Sequence, residues 1–287
     1  MLTLLFDGLA YGMLLYVLAI GLSVTLGLMN FINLAHGAFA MAGGYTLVLL
    51  MQKAGWPFPL GVITAFVVTA CLGLLLEVTL YRRMYDKPHL DQVLFSIGLT
   101  FMSVALIDYT LGSTPQLVQL PESLKGRTEW WDGALSMGHY RLLIILVCGV
   151  LAAVLQTVLS RTRFGAQLRA SVDDRQVAAA MGIRVNLVFM ATFAVGSGLA
   201  GLGGALGAEV LGLDPIFPLK YMIYFLIVVA VGGTTSLTGP LLAALLLGVA
   251  DVMGKYHIPK LGAFMVYAFM VLLLMWRPQG LFGRSTS

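Results

Sequence analysis

The stretch NFINLAHGAFAMAGGY, residues 30–45, interrupts one of the most apolar regions of the chain. Residues 4–52 contain one carboxylate, Asp7, and no lysine or arginine. Hydrogen-bonding groups within a membrane helix need internal partners or a water-filled cavity, so this stretch predicts a helix that is interrupted at membrane depth. The polar residues of the stretch are Asn30, Asn33 and His36, and its glycines are Gly37, Gly43 and Gly44.

The composition identifies an integral membrane protein. Of 287 residues, 59% are hydrophobic and 10% are charged, and the mean hydropathy is +0.93. A soluble domain carries about 25% charged residues, so this chain is not suited to water. Its apolar blocks have the length of membrane helices, whereas a membrane β-barrel would show short alternating segments. We therefore predict an all-α, polytopic membrane protein with about eight or nine transmembrane segments, some of them broken, in a single domain over 1–287.

The predicted spans are 4–28, 31–51, 58–80, 93–112, 141–159, 187–211, 219–236, 239–253 and 261–276. Glycines are densest in GSGLAGLGGALG, residues 196–207, where small side chains allow helices to pack closely. The two cysteines, Cys71 and Cys148, fall inside apolar blocks and are interpreted as small core residues.

Basic residues set the predicted orientation. Segments 81–92 and 161–185 and the C-terminal RPQGLFGR, residues 277–284, carry ten of the 17 lysines and arginines, and the other connections carry seven. The positive-inside rule then places the N-terminus outside and the C-terminus inside. The longest external loop is 113–140, in which Trp130–Trp131 are interpreted either as interfacial anchors or as a docking surface for an external partner.

The cytoplasmic segment 161–185 predicts a short helix. Asp173 or Asp174 can cap a helix that begins near Arg175, and Gly182 is a natural stop. The helix is expected to place its apolar residues, Val177, Ala178 and Met181, on one face. A helix resting on the bilayer usually carries more large apolar residues and lysines, and a helix that docks into a protein partner is the alternative.

Four motifs together resemble one family. RASVDDRQVAAAMGI, residues 169–183, resembles the cytoplasmic coupling segment of ABC importer permeases. FINLAHGAFAMAGGY, VGGTTSLTGPLLAALLLG and RPQGLFG resemble, in the same order, motifs of the branched-chain amino acid permeases. The chain is thus identified as similar to the H-type permease subunits of that class. It departs from the pattern at Thr234, where glycine is usual, and at Ala243–Ala244, and these departures bear on the substrate.

The resemblance implies a subunit of an ATP-driven importer in the bacterial inner membrane, moving branched-chain or other hydrophobic amino acids. The implied partners are a second, related permease, two cytoplasmic ATPase subunits and a periplasmic substrate-binding protein. ATP and Mg²⁺ would be bound by the ATPases, because this chain has no Gly-x-x-x-x-Gly-Lys-Ser/Thr loop. No cofactor of its own, no nucleic acid and no enzymatic activity are expected.

The resemblance also implies two groups of functional residues. Arg169 is the least specific of them, since it either pairs with a carboxylate or serves only as a positive-inside residue. The predicted ATPase-coupling residues are Arg169, Asp173, Asp174, Arg175, Ala179, Met181 and Gly182. The predicted translocation-pathway residues are Asn30, Asn33, His36, Gly37, Gly232, Gly233, Thr234, Ser236, Gly239 and Pro240.

Several interpretations of the polar residues stay open at this point. Asn33 and His36 are three residues apart and would share one face of a helix. They can serve a turn or helix packing, contact a transported amino acid, or take part in gating. An alternative function is an ion-coupled carrier or channel for small amphipathic solutes such as amides or urea. Against it, Glu77, Asp108 and Glu209 lie near the ends of apolar blocks, where a coupling ion is not expected.

Overall fold

The fold is described from a computed structural model that covers residues 1–29, 31–130, 135–233, 238–277 and 280. Helices dominate these residues, and one two-stranded antiparallel sheet pairs Arg127 with Gly138. The elements are α1 Leu2–Met29, α2 His36–Ala54, α3 Phe58–Thr79, α4 His89–Leu111, α5 Glu122–Lys125, β1 Arg127–Trp130, β2 Leu135–Gly138, α6 His139–Arg161, α7 Arg163–Asp173, α8 Arg175–Ala180, α9 Val185–Leu211, α10 Phe217–Gly232, α11 Thr238–His257 and α12 Gly262–Trp276, with 3₁₀ turns at Tyr81–Arg83 and Pro259–Leu261.

Each of the nine predicted spans contains a helix, which confirms the all-α membrane fold. Six helices in the described part of the chain, α1, α3, α4, α6, α9 and α11, are long and apolar enough to cross a membrane. The helices α2, α10 and α12 fall outside that group. The helices α10 and α12 have 16 and 15 residues. Helix α2 has 19 residues but is less apolar, because it contains His36, Gln52 and Lys53.

Two helices form the centre of the molecule. In the most apolar part of α1, 78% of the residues are buried, and in α9 61% are buried, against 22%, 17% and 22% in α3, α4 and α6. Helices α3, α4 and α6 therefore form much of the outer layer, and apolar side chains such as Phe101 and Leu146 are exposed on them. In a membrane protein such a surface meets lipid or another subunit.

Glycines bring the central helices close together, as the cluster at 196–207 predicted. A Cβ atom on Gly43 of α2 would overlap the backbone of Gly201 in α9, and one on Gly204 would overlap the backbone of Ala40. Between α1 and α11, a Cβ on Gly248 would collide with the backbone of Gly12. Close backbone approach of this kind is how helices gain packing contacts in lipid, where burial from water gives no driving force.

The predicted external and cytoplasmic segments lie at opposite ends of α1. At its first turn, the Thr3 hydroxyl accepts from the Ser136 N–H of β2 at 3.1 Å. At its other end, Met29 lines a cavity together with Ser171 of α7 and Arg175 of α8. The loop 113–140 is more structured than predicted, because it contains α5 and the β1–β2 pair. The role predicted for Trp130 and Trp131 concerns side chains outside the described part of the chain.

Candidate functional site

A non-helical segment, residues 31–35, ends in a turn and links α1 to α2. Its backbone bonds to side chains on one face of α4 instead of to a helix of its own. The Ile32 N–H donates to Gln92 Oε1 at 3.3 Å, and the Leu34 N–H donates to Ser96 Oγ at 3.2 Å. These bonds span about 60 positions of the chain, so the segment exists only once α4 has packed against it.

The polar face of α4 continues with Thr100, whose hydroxyl donates to the Leu34 carbonyl at 3.4 Å. Gln92, Ser96 and Thr100 are each at most 2% exposed. Because they are four residues apart, they form one row along the helix. Irregular backbone at membrane depth is tolerated where protein groups satisfy it, and this polar row provides those groups.

His36, the first residue of α2, lies beside the middle of α1. Its Nε2 is 2.8 Å from the Leu18 carbonyl oxygen, and since that oxygen only accepts, Nε2 carries the proton and donates. The rise of α1 from Leu18 to Met29 is about 16 Å at 1.5 Å per residue. The chain therefore turns back into the molecule after α1, and α2 starts inside the bundle, beside the middle of α1. This confirms the predicted helix interruption.

Asn33 is 1% exposed, and its side-chain oxygen has two internal hydrogen bonds. Oδ1 accepts from the Ala35 N–H at 3.1 Å and from the Tyr81 hydroxyl at 3.0 Å. The first bond organises the turn before α2, as asparagine side chains commonly do. The second bond ties this turn to the 3₁₀ turn after α3. Both lone pairs of the oxygen are thus used within the protein, which supports the structural interpretation of Asn33.

Two details of the prediction for this stretch are wrong. The predicted span begins at residue 31, whereas α2 begins at His36. Asn33 and His36 also do not share a helical face, because Asn33 lies in the non-helical segment before α2. The reason is that the backbone of 31–35 bonds to the side chains of α4 and cannot at the same time form the bonds of a helix. The predicted pathway residue Asn30 lies outside the described residues.

Gly37 allows α2 to approach α10. A Cβ on Gly37 would lie 2.9 Å from the Cα of Pro218, near the first residue of α10. The ring of His36 packs edge-on against Phe225, with ring centroids 6.3 Å apart. The interrupted stretch after α1 therefore meets the first and middle turns of α10.

The second predicted interruption lies where α10 ends and α11 begins. Gly233 has a φ of +84°, which favours glycine, and its N–H donates to the Val229 carbonyl at 2.9 Å. A Cβ on Gly232 would overlap the backbone of Gly239 and Pro240. Gly232 thus allows the end of α10 to pack closely against the start of α11, just as Gly37 allows α2 to pack against Pro218 in α10. The predicted residues Thr234 and Ser236 lie outside the described part of the chain.

The departure from the family pattern at Ala243–Ala244 falls in a helix contact. Both alanines are buried, and the Ala244 carbonyl oxygen lies 2.7 Å from the position that a Cβ would take on Gly12. These residues therefore shape the packing of α11 on α1.

The predicted cytoplasmic helix is α8, and both of its predicted ends are confirmed. Asp174 Oδ1 accepts from the N–H groups of Gln176 and Val177 at 2.8 and 2.9 Å. At the other end, Gly182 has a φ of +84° and the Ile183 N–H donates to the Ala178 carbonyl at 3.1 Å. This is the left-handed glycine stop expected from the sequence.

The apolar face of α8 differs from the prediction. Ala178 is 2% exposed and packs inward, whereas Val177 and Met181 are 55% and 79% exposed. A short helix that lies on the protein has one side that packs inward. In α8 this side carries Ala178, which is smaller than Val177 and Met181. The exposed pair is four residues apart and shares one side of the helix. The predicted coupling residues Asp173, Asp174, Arg175, Ala179, Met181 and Gly182 are all exposed.

Segment 161–185 contains a second helix, α7, that the sequence did not predict. Thr162 caps it, since its hydroxyl accepts from the Gly165 N–H at 3.4 Å. The guanidinium of Arg169 donates to the Leu159 carbonyl in the last turn of α6. The predicted carboxylate partner of Arg169 is therefore replaced by a helix C-terminus, where a cation is favourable.

Arg175 connects α8 to the rest of the molecule. Its Nη2 donates to Asn186 Oδ1 at 3.1 Å, its Nη1 lies 3.6 Å from Asp86 Oδ1, and its guanidinium lies 6.0 Å from the ring centroid of Phe189. The Phe189 ring packs edge-on against Tyr85 at 5.9 Å. Arg175 thus connects the exposed helix to an aromatic cluster at the same end of the bundle, the end that the sequence predicts to be cytoplasmic.

The aromatic cluster reaches the non-helical segment 31–35. Tyr85 packs against Phe31 at 5.6 Å, and Phe31 packs against Tyr81 at 5.4 Å. The Tyr85 hydroxyl donates to Glu77 Oε1 at 3.3 Å. Burial, and then the nearby Glu77 carboxylate, raises the pKa of the Tyr85 phenol, so that the hydroxyl keeps its proton. A continuous set of contacts therefore runs from α8 to residues 31–33.

Sequence reasoning missed the polar row of α4 and this aromatic cluster. Gln92, Ser96 and Thr100 recur at every fourth position of an apolar helix, which is a signal of one polar face. For Phe31 and Tyr85 the sequence carries no comparable signal, because isolated aromatic residues are common near the ends of membrane helices.

The sequence model of a family described as the permease component of the branched-chain amino acid transport system matches residues 4–274. No solved structure matches the chain significantly.

The curated relatives carry consistent names. The chain is 27% identical to the high-affinity branched-chain amino acid transport system permease protein BraD of Pseudomonas aeruginosa, over 98% of this chain and 95% of BraD. It is 25% identical to the corresponding protein LivH of Escherichia coli, over 98% of this chain and 94% of LivH. It is also 26% identical to the permease protein LivM of the same organism, over 94% of this chain and 68% of LivM.

Proposed function

This chain belongs to the branched-chain amino acid transport permease family, and we propose that it is the membrane subunit of an ATP-driven importer of branched-chain or other hydrophobic amino acids. It is a multi-pass protein of the inner membrane. Its relatives include both LivH and LivM, two permease proteins of one organism that carry the name of the same kind of transport system, which implies a permease pair.

The proposed partners supply what this chain lacks. Two cytoplasmic ATPase subunits would bind ATP and Mg²⁺ and contact α8, and a periplasmic binding protein would deliver the substrate at the outer end. One observation supports the coupling role most strongly. The apolar side chains of Val177 and Met181 stand exposed on a firmly capped helix, and such an i, i+4 pair suits a groove in a protein partner.

The contacts beneath α8 give a route for coupling. A displacement of α8 by the ATPases would move Arg175 and, through Phe189 and Tyr85, the side chain of Phe31. The backbone next to Phe31 is held by side chains of α4 and not by helical bonds of its own. The segment 31–35 can therefore exchange hydrogen-bond partners without unfolding a helix, which suits a moving part of a pathway.

The proposal is tested by reconstitution. The chain is purified with the second permease and the ATPases, inserted into liposomes, and supplied with the binding protein and radiolabelled leucine, isoleucine or valine. We expect uptake that requires ATP, and ATP hydrolysis that rises when loaded binding protein is added. Uptake by this chain alone, without an ATPase, would overturn the proposal in favour of a secondary carrier or channel. A binding screen on the partner binding protein then defines which amino acids are taken.

A further inference from the structure

A cavity of about 190 Å³ lies at the outer end of the bundle, between α1, α6, α9 and α11. It adjoins a second cavity of about 350 Å³ beside the β1–β2 pair, and Asp7, Arg141 and Val210 line both. One water occupies about 30 Å³ of the liquid, so the inner cavity has room for a small solute. It lies at the end of the molecule opposite to α8, on the side from which an importer takes its substrate.

Asp251 of α11 lines the inner cavity and is 2% exposed. Its Oδ2 is 2.5 Å from Lys255 Nζ, one helical turn further on. Its Oδ1 is buried and has no hydrogen-bond partner among the residues that the structure describes. A buried carboxylate oxygen without a donor is costly, so this carboxylate is suited to a ligand that brings a donor to it.

Asp7 of α1 repeats this arrangement on another wall. It forms an ion pair with Arg141 of α6 through Oδ2. Its Oδ1 is also buried and without a hydrogen-bond partner in the described part of the chain. Two carboxylates from different helices therefore line one cavity, and in each of them one oxygen already holds a cation.

The donor that fits two such acceptors is a primary ammonium group, which offers three N–H bonds and a positive charge. The cations Arg141 and Lys255 line the same cavity and have further N–H donors for an anionic group of the same ligand. We propose that this cavity binds an amino acid in its zwitterionic form, with Asp7 and Asp251 accepting from the α-ammonium group. The inference rests on the proposed function and deepens it by assigning residues to the substrate.

The remaining walls of the cavity fit the aliphatic part of such a ligand. They come from four helices and carry no charge. These residues are Ala10, Tyr11, Leu14, Ile144, Val210 and Val252, of which only Tyr11 carries a polar group, its hydroxyl. An ethanolamine lipid headgroup also combines an ammonium with an anionic group, so the experiment has to distinguish a lipid from a free amino acid.

The test uses the complex of both permeases and the ATPases in nanodiscs, without the binding protein, and with radiolabelled leucine as the probe. In phosphatidylcholine alone, we expect the wild type to bind leucine and Asp251→Asn to bind it at least tenfold more weakly, because the amide lacks the charge and one acceptor oxygen. Asp7→Asn should act in the same direction from α1. The matched control is Asp91→Asn, an exposed aspartate in the first turn of α4 at the cytoplasmic end, which should bind leucine as the wild type does.

A second measurement uses only the wild-type protein, so its result does not depend on whether the variants fold. In the wild type, leucine should protect Asp251 from modification by a carbodiimide, as read by peptide mass spectrometry. The acid 4-methylpentanoate, which lacks the ammonium group, should give no protection. Added phosphatidylethanolamine should not displace the bound leucine.

Three outcomes would overturn the inference. The first is that the wild type does not bind leucine, and the second is that both variants bind leucine with unchanged affinity. The third is that phosphatidylethanolamine occupies the cavity and excludes leucine, which would show that the cavity is a lipid site. ATP-driven uptake is measured in the same preparations. Uptake with unaltered leucine affinity in both variants contradicts only this inference, whereas the absence of ATP-driven uptake contradicts the proposed function.

Discussion

The hydroxyl of Tyr81 donates a hydrogen bond to the side-chain oxygen of Asn33 at 3.0 Å, across 48 positions of the chain, and both residues are buried. Through this bond the turn that follows α3 holds the turn that precedes α2. Tyr81 also packs edge-on against Phe31. The non-helical segment before α2 is therefore attached to the aromatic cluster that adjoins α8.

Removal of this hydrogen bond should destabilise the protein measurably. We expect Tyr81→Phe to lower the free energy of unfolding by about 1 kcal/mol, and Asn33→Ala by about 2 kcal/mol because it also leaves the Ala35 N–H unpaired. Denaturant unfolding in detergent micelles measures both. The control is Tyr109→Phe, at a residue that is 90% exposed on α4. If Tyr81→Phe behaves like this control, the hydrogen bond does not contribute to stability.

The close approach of α2 and α9 should not tolerate a methyl group. Gly43→Ala places a Cβ into the backbone of Gly201, and we expect a loss of about 3 kcal/mol, since overpacking forces a backbone shift. Gly98→Ala, in α4, meets nothing within 4 Å and should be neutral or slightly stabilising. Thermal unfolding of the purified variants gives the comparison, and similar melting temperatures for the two would contradict the packing described here.

The exposed apolar pair on α8 should matter for assembly and not for folding. We expect Val177→Ser and Met181→Ser together to reduce ATPase copurification at least tenfold while the melting temperature stays within about 2 °C of the wild type. The control Leu117→Ser changes a side chain of similar exposure, 77%, at the outer end. Equal ATPase recovery from the pair variant and the control would show that another surface binds the ATPases.

The stop of α8 depends on a conformation that glycine adopts easily. Because Gly182 has a φ of +84° and nothing lies within 4 Å of its would-be Cβ, backbone conformation and not space limits substitution. We expect Gly182→Val to lower uptake per ATP hydrolysed at least fivefold, whereas Gly182→Asn should retain most of the coupling, since asparagine tolerates this region. The ratio of uptake to hydrolysis in proteoliposomes is the measurement, and wild-type coupling in the valine variant would contradict the assignment.

The ring of Tyr85 should transmit motion from α8. Tyr85→Ala removes the contacts with Phe31 and Phe189, and we expect uptake per ATP hydrolysed to fall at least fivefold while the ATPase rate stays within a factor of two. Tyr85→Phe keeps the ring and loses only the bond to Glu77, so most coupling should remain. Equal coupling in the alanine and phenylalanine variants would indicate that the route does not pass through this ring.

Local patterns of the sequence predicted the parts of this protein that depend on nearby residues. Apolar blocks predicted the helices, because a backbone in lipid must satisfy its hydrogen bonds within one segment. Asp174 and Gly182 predicted the ends of α8, because capping involves residues within one turn. The polar groups at 30–36 predicted an interrupted helix. Leaving such groups without hydrogen bonds in lipid costs free energy, whichever partner would satisfy them.

Only the tertiary structure decided which partners those groups have. Asn33 accepts from Tyr81, Arg169 donates to Leu159 and Ala178 turns inward, and spacing along the chain predicts none of these contacts. In the same way, Asp7 and Asp251 are far apart in sequence and line one cavity because α1 and α11 pack side by side. The free energy of a hydrogen bond or ion pair depends on short distances between atoms, and for residues on different helices those distances follow from how the helices pack.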